Sequence, residues 1–402
     1  MRINSDRLRE HLTQLGMIGC TPSGGVSRAS FSAADRQARE YVTELMKKAG
    51  CQVYTDPVGN LIGRVEGSRG GPAIVMGSHI DTVPDGGQFD GALGVMAAIE
   101  VMQTLRDNNV SLDHPVEVIA FADEEGSYLT GTFGSRAMLG SISADDWNKV
   151  VSEDGTTLEQ LLVSAGLAPR NLEVRDPSTV KCYLELHVEQ GGVLDAKGYS
   201  IGVVEGIVGI SRYLFTFKGK ANHAGTTPMD MRQDALLAAC QIILAVPELV
   251  KQEGDMVGTV GMLEVKPGAA NVVPGEVEFV VELRALEKKK VERVLQILRQ
   301  KAEGLMDYTF EVRMDKDPAW LTPWVKDIIE QVATERGYSN LRIASGAGHD
   351  AMSFAYKNIP TGMIFVPSKD GISHAPDEWT DWEDCGKGAQ VLLDTLLKVD
   401  EN

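Results

Sequence analysis

The chain has 402 residues, 43% hydrophobic and 24% charged, a length that suits two hydrophobic cores better than one and a composition without low-complexity bias. Its formal net charge of −18 argues against nucleic acid and anionic membranes as partners. The five cysteines (Cys20, Cys51, Cys182, Cys240, Cys385) are scattered and never form a C-x-x-C pair, a pattern that speaks against a disulfide framework or a thiolate metal site and for a reduced, cytoplasmic setting.

Along the chain, the opening MRINSDRLREHLTQL lacks the apolar core of a signal peptide and reads as an amphipathic helix. No run approaches the roughly 20 apolar residues expected of a membrane span. Residues 34–48 have helical spacing and stop at Gly50, a left-handed cap. Extended runs follow at 52–54, 60–65 and 73–78, then a helix over 92–105 and a buried strand, PVEVIAFA, over 115–122. A second such strand is CYLELHV, 182–188. This repetition predicts an α/β layered sheet. From residue 211 the rhythm changes to strand 212–217, helix 234–250, strands 256–265 and 277–286, helix 288–306 and strand 308–314. That order, β-α-β-β-α-β, is the ferredoxin-like arrangement. Helix 323–336, strand 361–366 and helix 382–398 then resume the first pattern. The expected organisation is a larger α/β domain of residues 1–210 and 323–402, with mixed sheet flanked by helices, carrying an inserted domain of residues 211–322.

Seven histidines are present: His11, His79, His114, His187, His223, His349 and His374. Taken singly, each would be a surface or satisfied structural residue, and His349 is read that way. Three stand out by their neighbours. His79 ends an apolar strand in GSHIDT, where Asp81 points to the same side and could accept its second ring N–H. Asp90 follows in the Gly-rich loop GGQFDG, although a solvated loop Asp is the plainer reading there. Asp123-Glu124-Glu125 caps the strand PVEVIAFA, where α/β sheets place their sites. Three adjacent carboxylates repel unless protons or cations compensate, and they could divide two tasks, Glu125 as a ligand and Glu124 as the base that takes a proton from water. His187 ends its strand with acids two residues to either side, and His374 lies in the loop GISHAP. His79, Asp90, Glu125, His187 and His374 form a mixed N/O set suited to Zn, Mn, Co or Ni. With one carboxylate bridging, they would hold two divalent ions roughly 3.5–4 Å apart.

The strings GSHIDTVPDGGQFDG, DEEG, ELHVEQG, NHAGTTPM, SGAGHD and GISHAP resemble the signature segments of the hydantoinase/carbamoylase branch of the M20-type metal-dependent amidohydrolases. The resemblance runs from PSGGVSR at 22–28 to GISHAPDEW. It implies a catalytic domain with two metals, and an inserted lid that also makes a homodimer. It places the ligands on His79, Asp90 (bridging), Glu125, His187 and His374, the general base on Glu124, and Asp81 behind His79. It further implies that Arg284 grips a substrate carboxylate with Asn271 assisting, that His223 stabilises an oxyanion in its own or the partner subunit, and that Gln190 touches substrate. Gly346 and Gly348 could let backbone approach the ligand. The activity implied is hydrolysis of the carbamoyl C–N bond of N-carbamoyl-L-amino acids. Allantoate is the alternative substrate, a dipeptidase or aminoacylase a third reading, and a non-catalytic dimer binding a small acid a fourth.

Overall fold

The computed structural model describes residues 1–129, 131–143 and 145–402. It divides into two compact units, Met1–Glu205 with Leu321–Asn402, and Gly206–Trp320. These boundaries lie a few residues from the 210/211 and 322/323 expected.

In the first unit four neighbouring strands run parallel, in the order Val116–Phe121, Ala73–His79, Val180–Val188 and Thr361–Val366. Antiparallel strands extend both sides: Leu61–Val65 and then Gln52–Thr55 beyond the first, and Ile201–Ile207 beyond the last. The sheet is therefore mixed, and its central strands are buried throughout except at Lys181, as unbroken apolar runs require when both faces are covered. On one face Ile74, Met76, Val118, Leu184, Leu186 and Ile364 join the helices Ser5–Met17, Ala92–Asp107, Pro323–Glu335 and Trp382–Glu401 in a single core. On the other face Phe121, Tyr183 and Phe354 of the short helix Ala351–Tyr356 pack as an aromatic group, Tyr183 stacked on Phe354 with centroids 4.0 Å apart.

Arg28, fully buried, ties the amino-terminal helix to the strand end that carries His79. Its Nε donates to the carbonyl of Ile80 (2.6 Å), and Nη1 donates to those of Leu15 (2.9 Å) and Ile18 (2.8 Å). Burial pushes its pKa down to about 10, against the pull of Asp35 and Asp81. Arg28→Met should strand these carbonyls and lower the unfolding free energy by about 3 kcal/mol, measured by denaturant titration. A loss below about 1 kcal/mol, no more than one ordinary hydrogen bond, would contradict the clamp.

The second unit is a four-stranded antiparallel sheet, ordered Tyr308–Lys316, Gly209–Lys218, Glu276–Ala285 and Met256–Lys266. With helices Ala235–Glu253 and Lys288–Glu303 it has the β-α-β-β-α-β order. Glu276–Ala285 alternates buried and half-buried residues along its length, as a sheet covered on one face should. Helix Ala235–Glu253 is long and apolar enough to cross a membrane by length and composition alone, with mean hydropathy 1.5, although Gln241, Glu248 and Lys251 interrupt its apolar run. In this fold Ala235, Ala239, Ile242, Val246 and Val250 of that helix belong to the unit's core instead.

Candidate active site

The four parallel strands present their carboxyl ends together, the position at which open α/β sheets bind ligands. His79 and His187 are the last and next-to-last residues of their strands. Glu124 and Glu125 follow the strand Val116–Phe121, and His374 follows Thr361–Val366. Asp90 stands at the turn into helix Ala92–Asp107, which begins after Gly91 at φ 61°. A Cβ on Gly91 would lie 2.4 Å from the His79 ring, so the close approach of loop and ring requires glycine.

Asp90 is the centre of the arrangement, each of its oxygens facing a different pair of groups. Oδ1 lies 3.2 Å from His187 Nε2 and 3.6 Å from His79 Nε2. Oδ2 lies 3.2 Å from His374 Nε2 and accepts a hydrogen bond from Gln190 Nε2 at 2.8 Å. Glu125 Oε2 is 3.6 Å from His374 Nε2, and Glu124 Oε2 is 3.6 Å from His79 Nε2. The structure thus brings together His79, Asp90, Glu124, Glu125, His187, Gln190 and His374. His374 is half exposed, while Asp90, His79 and His187 are buried.

The ring contacts suit metal ligation. His79 Nδ1 faces the carbonyl of Asp81 at 3.0 Å and His187 Nδ1 that of Val188 at 2.8 Å. A carbonyl only accepts, so each Nδ1 carries a proton, which leaves each Nε2 as the atom that could bind an ion. Asp81 was expected to take the His79 proton through its carboxylate, but its carbonyl is closer, and the carboxylate stands 3.6 Å away. The carboxylate instead accepts the backbone N–H of Glu124 (3.4 Å) and Glu125 (3.1 Å), orienting the acidic loop. Asp123, at φ 52°, turns that loop, and its N–H donates to Ser30 Oγ at 2.8 Å.

Electrostatics point the same way. Burial raises the pKa of Glu124 well above the usual carboxylate range, with Asp350, Glu125 and Asp81 adding to it and His79 opposing. Burial beside Asp90 raises Glu125 to about 7. Asp90 is held well below its usual value by His187 and His374, despite its burial. On His79, burial disfavours the charge, yet Glu124, Asp81 and Glu125 raise the pKa well above normal. Hydrogen bonding to Asp90 lifts His374 to about 9. Crowded carboxylates require protons or cations, and divalent ions would displace those protons.

The residues fit such ions on two counts. Two ligand groups, His79–Asp90–His187 and Asp90–Glu125–His374, each have atoms within 4.8 Å of one another and share Asp90. Gln190 Oε1 is buried without a hydrogen-bond partner at the same place. A third group, Glu185–His187–His349, has the same compactness. There Glu185 already accepts from Ser78 Oγ (2.9 Å), Tyr183 Oη (3.1 Å) and the N–H of Ala351 (2.9 Å), and His349 contacts Ser345 Oγ at 2.9 Å, so that group is a hydrogen-bonded support behind His187. Glu189, the acid on the other side of His187, accepts the N–H of Val193 and Leu194, both at 2.8 Å.

The other candidates divide between the units. Gly346 and Gly348 follow the strand Asn340–Ser345, and a Cβ at Gly346 would meet nothing within 4 Å. In the second unit, exposed His223 pairs with Val272 in a short ribbon, and the N–H of Ala224 donates to the carbonyl of Asn271 at 2.9 Å. Arg284 Nε donates to Glu282 Oε1 at 2.8 Å. Two residues that the sequence did not single out also reach the cluster. Ser373 Oγ is 3.2 Å from Asp90 Oδ2, and Glu378 binds the Asp90 backbone. Both lie within GISHAPDEW, but no local spacing links them to a residue 283 and 288 positions away.

This cluster of imidazoles and carboxylates at the carboxyl ends of the parallel strands offers the donor set of a metal centre, and the chain's relatives make it a hydrolase of the amidohydrolase class. The chain belongs to peptidase family M20/M25/M40, matched over residues 75–398, within the hydantoinase/carbamoylase branch. It is 43% identical to an N-carbamoyl-L-amino acid amidohydrolase of Geobacillus stearothermophilus, covering 99% of both chains. It is 36% identical to an allantoate amidohydrolase of Escherichia coli, covering 98% of this chain and 97% of the relative. A solved amidase of the hydantoinase/carbamoylase family from Burkholderia multivorans is similar with a TM-score of 0.92 at 33% identity, covering 100% of this chain and 99% of that one.

Proposed function

We propose that this enzyme hydrolyses the carbamoyl C–N bond of N-carbamoyl-L-amino acids, giving the amino acid, ammonia and carbon dioxide. The observation that carries the reading is the position of Asp90, one oxygen toward His79 and His187 and the other toward His374 and Gln190. So placed, Asp90 would help to hold two ions, one with His79 and His187 and one with Glu125 and His374. Those ions, when bound, would lower the pKa of water toward about 7 and polarise the scissile carbonyl. Glu124 takes the proton from water and later returns it to the leaving nitrogen. Asp81 fixes the loop that carries Glu124 through the two backbone N–H groups it accepts. Gln190, with Oε1 unpaired, offers a contact for the ureido group.

In the same reading the second unit, Gly206–Trp320, serves as lid and dimerisation module. Arg284 holds the substrate carboxylate through a bidentate fork, Asn271 assists, and His223 stabilises the oxyanion. Support for a homodimer comes from the sheet edge. Met256–Lys266 pairs on one side only among the described residues, leaving the outward-facing N–H and C=O groups of this eleven-residue strand open to pairing. Val257, Met262 and Leu263 on this strand, and Leu237 and Leu244 on the helix Ala235–Glu253, are 45–68% exposed. The double substitution Leu244→Glu, Met262→Glu should shift the sedimenting species from dimer to monomer. A monomeric wild type at micromolar concentration would contradict the assignment.

The substrate itself is tested by kcat/KM for N-carbamoyl-L-amino acids against allantoate, on enzyme loaded with Zn, Mn, Co or Ni. The relative at 43% identity favours the carbamoyl substrates, and the one at 36% makes allantoate the second reading. A higher value on allantoate would reassign the substrate and leave the roles of Glu124 and Asp90 as they are.

A further inference from the structure

Glu378 is a buried carboxylate with an unusual set of partners. It is 3% exposed, and among the described residues no Lys, Arg or His forms an ion pair with it. Its Oε1 accepts two backbone N–H groups, those of Phe89 and Asp90, each at 3.0 Å. Its Oε2 accepts the Ser373 hydroxyl at 2.8 Å, and that hydroxyl also lies 3.2 Å from Asp90 Oδ2. The fit against the Asp90 loop is close: a Cβ on Gly87 would stand 2.0 Å from Glu378 Oε1.

Burying a carboxylate is costly unless hydrogen bonds compensate, and here three donors do so. Two come from the loop of Asp90, and the third comes from the residue beside His374. We propose that Glu378 is a positioning residue for the metal centre, fastening the loop of Asp90 to the loop of His374 so that Asp90 Oδ2 and His374 Nε2 converge on one ion. The inference rests on the reading of Asp90 and His374 as ligands. His79 and His187 need no such clamp, because they end strands of the central sheet. Asp90 and His374 sit on loops, and His374 itself is at φ 55°. Loss of Glu378 should therefore weaken the Asp90–Glu125–His374 site more than the His79–Asp90–His187 site.

The test is zinc binding by metal-stripped protein, measured in competition with a chromophoric chelator, for wild type, Glu378→Ala, Glu378→Gln and Ser373→Ala. Thermal melting of the stripped proteins is followed in parallel. Wild type should bind two zinc ions per chain. Glu378→Ala should weaken one of the two steps by about 10–100-fold, the range seen when outer partners of metal ligands are removed. Glu378→Gln should stay near wild type: its amide oxygen can accept the same two N–H groups, and its NH₂ can donate to Ser373 Oγ and free the hydroxyl proton for Asp90. Ser373→Ala should weaken the same step by less, and it carries the test if Glu378→Ala fails to fold. Wild-type affinity at both steps in Glu378→Ala, or in Ser373→Ala where that variant stands in for it, would overturn the proposal alone. Equal impairment of the Ala and Gln variants would also overturn it. A wild type that binds no zinc would overturn it together with the functional reading.

Discussion

Glu124→Gln should lower kcat by about 10²–10⁴, the usual contribution of a positioned general base, while metal content and melting temperature stay near wild type. The amide is nearly isosteric with the carboxyl group, so the packing of a residue only 8% exposed is kept. What is lost is the group that accepts a proton from water. Glu124 is the carboxylate beside His79 that lies in neither of the two ligand groups sharing Asp90, so its removal should spare both sites. Steady-state ammonia release combined with metal analysis of the same preparation checks this. A variant that retains more than about a tenth of wild-type kcat would fall outside the range for a general base and contradict the role.

Asp90→Ala should abolish binding of both ions, and His374→Ala of only one. The difference follows from geometry. Asp90 is common to both ligand groups, whereas His374 belongs only to the group with Glu125. For the affected sites the loss should exceed the roughly 10–100-fold typical of outer partners, because a ligand itself is removed. Activity should disappear in both variants, so metal stoichiometry is the discriminating readout. One ion retained by Asp90→Ala, at wild-type affinity, would show that Asp90 does not bridge.

Much of this centre was legible in the sequence because His79, Glu124, Glu125 and His187 lie at or just past the ends of buried strands. PVEVIAFA and CYLELHV read as buried strands, and the acids and imidazole at their tips then had to share the carboxyl edge of a parallel sheet. Bounds were close wherever the apolar period was long: strand Thr361–Val366 falls where it was expected, and the helix expected over 34–48 is Ala33–Lys48. Short elements were not legible. Phe133–Met138 and Ala351–Tyr356 have six residues each, less than two turns, and their N-caps, Thr132 in the left-handed region and Asp350, make no side-chain cap. Strand Ile201–Ile207 carries two glycines and a glutamate, which blur its apolar run.

Contacts distant in sequence were the other blind spot. Glu378 is bonded to residues 288 and 289 positions away, and Arg28 to a carbonyl 52 positions away. Neither periodicity nor spacing can express such pairings. The His79–Asp81 contact takes another form than expected for a local reason: the chain leaves the strand at His79, so the Asp81 carbonyl comes nearer the ring than the carboxylate does.

The most direct test is ammonia release from a panel of N-carbamoyl-L-amino acids, comparing chelator-stripped protein with the same protein reloaded with two divalent ions per chain. Release that is absent from the stripped form and restored on reloading is the predicted result. Reloaded enzyme, shown to hold both ions, that frees no ammonia from any carbamoyl substrate or from allantoate would contradict the ureido-hydrolase assignment.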